Sequence, residues 1–169
     1  FAGFTLGASW GEDDYWDIAL RYSGEFSGFK MAFATAYSES TDPNILNTGA
    51  NTNDNQYFQV GGMIKHLASG LWVHGTYGKN FIDNQPFNHG PQPDITGWYL
   101  KAGWTTKFSA LGNTHFYGEY GNNEDAFEFN QTINGVQIVG TDADRYGLGV
   151  VQEIDAAAMS LWAKWRHHE

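Results

Sequence analysis

The stretch Gly97–Phe108, reading GWYLKAGWTTKF, alternates along its whole length. Trp98, Leu100, Ala102, Trp104, Thr106 and Phe108 fall on one parity, and Tyr99, Lys101, Gly103, Thr105 and Lys107 on the other. A period of two sustained over a dozen residues is the mark of a β-strand whose two faces meet different surroundings. The pattern alone does not say which face meets water. That depends on whether the rest of the chain repeats it, and at what length.

The chain does repeat it. Ala2–Trp10, Tyr15–Glu25, Phe29–Ser38, Gln56–His66, Leu71–Lys79, Asn113–Gly121, Asp144–Ile154 and Met159–His168 alternate in the same way, which makes nine predicted strands of about ten residues. Ser27-Gly28, Leu67–Gly70, Ser109–Gly112 and Asp155–Ala157 supply short turns. Glu39–Asn55, Asn80–Thr96 and Asn122–Ala143 are long polar loops, the second carrying Pro86, Pro91 and Pro93, the third with a small hairpin expected around Asn134-Gly135. Strands of this length exceed the roughly 5–6 residues of globular sheets and match the roughly 9–11 that a tilted strand needs to cross a bilayer. Short turns at one end and long loops at the other is the connectivity of an outer-membrane barrel. The expected fold is therefore all-β, an antiparallel transmembrane β-barrel.

Composition narrows the choice further. Charged residues make up 17% of the 169 residues, below the roughly 25% usual in soluble domains, while aromatics reach 17% and there are 21 glycines. No run of 18 apolar residues is present, which excludes a transmembrane helix and leaves a barrel open. The net charge of −10 argues against nucleic acid as a partner, and the absence of cysteine removes disulfides and thiolate metal sites. The start, Phe1-Ala2-Gly3-Phe4, carries no Met or charged leader, so any signal peptide is expected to have been removed or left out.

Two distributions bear on the solvent. Of the nine basic residues, Arg21, Lys30, Lys65, Lys101, Lys107, Arg145, Lys164 and Arg166 share the polar parity with Asp17, Glu25, Glu119 and Glu153, and Lys79 lies at a strand end. No charge projects from the middle of the apolar face, where at a bilayer midplane it would cost about 2–4 kcal/mol. Trp10, Trp16, Tyr37, Tyr77, Trp98, Tyr120, Tyr146 and Trp165 all sit on the apolar parity at the loop end of their strands, as an interfacial aromatic girdle requires, with Phe29 and Phe108 at the turn end. In a soluble sandwich the same rings would be core. Gly61, Gly78, Gly103, Gly121, Gly147 and Gly149 on the polar face either leave room for a lumen or let the strands bend.

Two segments carry a family resemblance. Ser9–Tyr22, SWGEDDYWDIALRY, running on to Gly28-Phe29-Lys30, and Tyr146–Trp162, YGLGVVQEIDAAAMSLW, resemble the corresponding parts of alphaproteobacterial outer-membrane porins, the second more specifically. The resemblance implies a water-filled channel in the outer membrane of a Gram-negative bacterium, a sixteen-stranded barrel in a homotrimer, passing ions and small hydrophilic solutes by passive diffusion. The chain departs from the family in its odd strand count and in ending at Trp165-Arg166-His167-His168-Glu169 without a closing strand. On this reading residues 1–169 are one barrel segment, incomplete at both ends, with about six strands before it and one after. The constriction loop would then lie outside the chain.

Several sites follow. Asp17, Arg21, Lys30, Lys65, Lys101, Lys107, Glu119, Arg145, Lys164 and Arg166 are expected to line the pore, and eight basic against four acidic wall residues give a wall of net +4 that draws anions. Lipid and lipopolysaccharide are the expected partners outside. Glu12, Asp13, Asp14, Asp42, Asp54, Asp83, Asp94, Glu124, Asp125, Glu128, Asp142 and Asp144 offer carboxylates for bridging divalent cations, though such charges more often only keep loops soluble. His167 and His168 point to opposite faces, and His74 and His115 lie on different strands, so no metal pair is expected. Asn130-Gln131-Thr132 matches a glycosylation acceptor but carries little weight in a bacterium. No nucleophile–base spacing stands out; neither catalysis nor a cofactor is expected. The rival is a soluble all-β binding module, a lectin-like sandwich or a propeller, the latter because the long loops start about 41 residues apart. A third is an adhesin or autotransporter translocator.

Overall fold

The structure, a computed structural model, describes residues 2–12, 14–42, 53–82, 94–125, 132–133, 136–137 and 140–169. Pro86, Pro91, Pro93, Asp13, Asp83, Glu128, Asn130 and Gln131 lie outside the described residues.

Nine long strands form one antiparallel sheet: β1 (Phe4–Trp10), β2 (Trp16–Phe26), β3 (Phe29–Asp42), β4 (Asn53–His66), β5 (Leu71–Ile82), β6 (Ile95–Ser109), β7 (Gly112–Glu124), β10 (Asp142–Ile154) and β11 (Met159–His168). Between β7 and β10, β8 (Thr132–Ile133) and β9 (Val136–Gln137) pair antiparallel, on either side of the dipeptide that predicts a hairpin; the dipeptide itself lies outside the described residues. Each long strand pairs with its neighbours in sequence. Among the described residues there is no α-helix, and the only helical turn is a 3-10 turn at Asp155–Ala157.

All nine predicted strands are found, and β3 to β10 run two to four residues further toward the loops than the hydrophobic pattern reaches. Ser40, Thr41, Asn53 and Asn55, for example, continue the β3–β4 ladder. Backbone pairing persists there after side-chain alternation has ended, because a ladder needs only its own amide groups. The β2–β3 turn has Ser27 at φ 49° and Gly28 at φ 81°, the double left-handed geometry of a two-residue hairpin. Between Thr106 and Ser109 the β6–β7 register shifts by a bulge. Phe108 stays with Trp104 (6.4 Å) and Phe116 (5.7 Å) on the apolar side, while Lys107 sits in the bulge, exposed and outside the strict alternation.

The sheet is open: β1 and β11 are its two edges, and these nine strands do not close into a barrel. It is also a single layer. Among the described residues no hydrophobic side chain is buried, and Leu6 and Leu148 on the apolar face are 68% and 65% exposed. A sandwich would bury that face under a second sheet; a propeller would divide the strands into four-stranded blades. Neither arrangement is present among the described residues.

Candidate functional site

The polar face carries a concave trough of about 810 Å³, bordered by Thr5 of β1, Arg21 of β2 and Arg145 of β10. Strands from both sides of the sheet thus face a common space. Its shape follows from one cross-strand row, Arg21–Ala34–Gly61–Thr76–Tyr99–Gly121–Arg145, in which each residue stands opposite the next. Ala34, Gly61 and Thr76 leave the floor low, and an arginine stands at each end.

A charged cluster occupies the β6–β11 side of this face. Lys101 stands opposite Glu119, Glu119 opposite Gly147, and Gly147 opposite Arg166. The Arg166 guanidinium reaches over Gly147 and donates to Glu119 Oε1 from both Nε and Nη2 at 2.6 Å. Tyr99 donates its hydroxyl to Glu119 Oε2 at 2.5 Å. The Glu119 side chain is only 2% exposed, so its charge is held by these donors rather than by water.

The remaining cations rest on rings. Lys101 Nζ lies 3.5 Å from the centre of the Tyr117 ring, and the Arg145 guanidinium 5.0 Å from that of Tyr99. Lys164 Nζ is 5.8 Å from the Trp162 ring. A ring stabilises a cation without neutralising it. Four cations against one carboxylate leave this cluster of the polar face at net +3. Arg145 Nε is buried with no hydrogen-bond partner.

Glycine makes the cluster possible. A Cβ on Gly147 would come within 2.4 Å of the Trp165 carbonyl oxygen and 3.4 Å of Glu119 Oε1. One on Gly121 would come within 3.1 Å of both Arg145 Nε and Tyr99 Cδ2. Gly103 takes the Trp72 ring and Gly149 the Tyr117 ring in the same manner. These glycines are slots through which side chains two strands apart meet, a use beyond lumen space and strand bending. Gly147→Val is accordingly expected to separate Arg166 from Glu119 and to lower unfolding stability by about 1–3 kcal/mol. Urea titration of the refolded protein measures this, and an unchanged midpoint would show that the slot is not needed.

The other predicted pore-lining residues are spread out. Glu25, Lys30 and Lys65 form a row with Trp72, with Lys30 directly opposite Lys65. Asp17 sits near the loop rim, accepting hydrogen bonds from Ser9 Oγ and Tyr15 OH. That hydrogen bond, with the carboxylate charge behind it, raises the pKa of Tyr15. His115 pairs with Glu153 at 3.2 Å toward the turn rim, while His74 stands opposite Lys101 beside Tyr99, so the two histidines belong to different rows. His167 joins Tyr146 and Trp165 on the apolar face, and His168 stands opposite Arg145. Lys79, at the loop end of the apolar face, pairs with Asp94 at 2.8 Å. Among the described residues no three His, Asp or Glu side chains converge as a metal site.

On the apolar face the girdle residues form a staircase. Trp10 stands opposite Trp16, and Tyr37, one rung further from the loops, opposite Phe58. Tyr77 stands opposite Trp98 one rung further, Tyr120 opposite Tyr146 at the next, and Trp165 one rung beyond. Rungs on one face are two residues apart, so the line drops by about one residue per strand. With about 3.3 Å per residue and about 4.8 Å between strands, it is level only if the strands lean by about 35°. Barrel strands lean by about 35–45°. Phe58 completes the line on β4; the sequence alone does not mark it, because only the register puts it on the same rung as Tyr37.

Polar atoms at the borders of this face point away from its middle. Tyr37 OH donates to Glu39 (3.2 Å) and Tyr120 OH to Asp144 (2.8 Å), each toward the loops. Trp104 Nε1 donates to the Ser69 carbonyl in the β4–β5 turn at 2.9 Å. From Tyr37 to Phe29 is eight residues, about 26 Å of strand and about 22 Å of height at that lean, beside an apolar band of roughly 25 Å in membrane barrels. No protein-family model, curated protein or solved structure matches the chain.

Proposed function

We propose that the chain is part of the wall of an outer-membrane channel, apolar face to lipid and polar face to a water-filled lumen, through which ions and small hydrophilic solutes diffuse passively. The observation that carries this reading is the aromatic staircase. The register offsets the ring-bearing positions of nine strands by about one residue per strand, the slope that a lean of about 35°, as in barrel walls, would bring to a single level. The exposed apolar face, the outward-pointing Tyr and Trp polar atoms and the trough on the charged face support it in turn.

The edges of β1 and β11 carry unpaired amide groups that hydrocarbon cannot satisfy, so further strands must cover them in a bilayer. A sixteen-stranded wall, a trimer, the lipopolysaccharide contact and the Gram-negative outer membrane come from the resemblance of Ser9–Lys30 and Tyr146–Trp162 to porins. The mechanism needs no reacting group: solutes are sorted by width and by the charge of the wall. The test is stepwise conductance when the natural full-length protein is added to planar bilayers. A folded protein that inserts and passes no current would overturn the channel, and one that stays monomeric in water without detergent would favour a soluble module.

A further inference from the structure

The charges on the polar face are unevenly divided, and the division has a chemical reading. On β2–β4, Arg21, Lys30 and Lys65 face Asp17 and Glu25, a net +1. On β6–β11, Lys101, Arg145, Lys164 and Arg166 cluster around Glu119, while Glu153 lies apart toward the turn rim with His115. Of these four cations, Arg166 has the ion pair with Glu119. Lys101, Arg145 and Lys164 have rings instead, which fix the cations in place and leave their charge available. Of the three, Arg145 borders the trough, so its charge faces the space a solute would occupy.

Aromatic rings on a polar wall could also serve as a stacking surface for sugars. Here Tyr117 is covered by Lys101 and Tyr99 by Arg145, while Trp72 lies over Gly103 and Tyr57 over Gly78. Each of the two rings nearest the cluster thus has a cation over one face.

We infer that Lys101, Arg145 and Lys164, with Arg166 half neutralised by Glu119, form a weak oxyanion site that holds carboxylate- or phosphate-bearing solutes on the wall and makes the channel anion-preferring. The inference rests on the channel reading and narrows its solute class. A lumen site of this kind works by being occupied briefly: fixed positive charge beside a low-dielectric wall raises the local anion concentration, and the absence of a closed coordination shell lets the anion leave.

The test is the reversal potential of single channels formed by the natural full-length protein in a tenfold KCl gradient, with acetate and phosphate added in separate runs. The wild type is expected to pass chloride about threefold or more over potassium, and millimolar phosphate or acetate is expected to reduce its chloride current. In Lys101→Gln/Arg145→Gln/Lys164→Gln the ratio is expected to fall to about one and the anion block to disappear, with Lys79→Gln, on the apolar face, unchanged. Block by phosphate but not acetate would place the preference with phosphate-bearing solutes; the reverse, with carboxylates. A wild-type ratio of one or below, with no block by either anion, overturns the site while leaving the channel standing. No conductance from the folded wild type overturns the channel itself. Should the triple variant fail to fold, the wild-type ratio and block still decide.

Discussion

Val73→Arg is expected to lower the unfolding free energy of the protein in lipid vesicles by about 2–4 kcal/mol. Val73 lies on the apolar face, opposite Ile64 and Ala102 and four residues from the girdle at Tyr77, near half the height of the apolar band. A guanidinium there must either reach an interface or draw water into hydrocarbon. The informative comparison is with depth. Thr96→Arg, one rung loopward of Trp98 on the same face and beside Glu124, is expected to cost only about 0–1 kcal/mol. Thr76→Arg, on the concave face, is expected to cost less than about 1 kcal/mol. Urea titrations in vesicles would give all three values. A soluble module that buries this face would show the Val73 cost without the gradient and without any dependence on lipid. Equal costs for Val73→Arg and Thr96→Arg would therefore sink the membrane reading.

The second large effect is at Glu119. Glu119→Ala removes the acceptor of Tyr99 and of both Arg166 contacts and leaves four cations on adjoining strands with no carboxylate among them. Breaking a buried pair by deleting one partner costs about 3–5 kcal/mol; Arg166 is 27% exposed and can turn partly to water, so about 2–4 kcal/mol is expected here. Glu119→Ala/Arg166→Met should recover part of the loss, because it removes the stranded charge together with its partner. The same single substitution should raise the anion preference of the channel, since the local charge goes from net +3 to +4. A protein that loses Glu119 with neither a stability change nor a selectivity change would show that the cluster is incidental.

How far the sequence leads differs between strands and site. Strand number and face assignment follow from side-chain alternation, which survives wherever one face is apolar, as at Trp98, Leu100 and Ala102. The strand ends toward the loops are not legible that way, because Ser40, Asn53 and Asn55 pair through backbone groups and carry no hydrophobic signal. The bulge at Lys107 is hidden for a similar reason, since one extra residue in a ladder leaves no mark on the composition of the strand. At the site, parity identifies Lys101, Glu119, Arg145, Lys164 and Arg166 as facing one way. It cannot say that Glu119 and Arg166, 47 residues apart, meet across Gly147 while Lys30 stands against Lys65. That depends on register, which the hairpin turns and the loop-end ladders set strand by strand. The girdle shows the same limit: its residues are visible as aromatics near loops, but the slope that relates them is a property of pairing.

The strand order has a consequence for how such a wall is made. Every pairing in the sheet joins strands that follow one another along the chain, the small β8–β9 excursion aside. Hairpins such as β2–β3 and β10–β11, with their short turns, can zip up locally and add in order, at little loop-closure cost for each addition. In the proposed channel wall, the seam that would cover β1 and β11 is different, because its partners are remote in sequence or on another chain. Its rate is then set by search rather than by zipping. Until it forms, two rows of unpaired amides and an apolar face remain available to other molecules. For this architecture the hazardous interval of folding is late, after nearly all secondary structure exists.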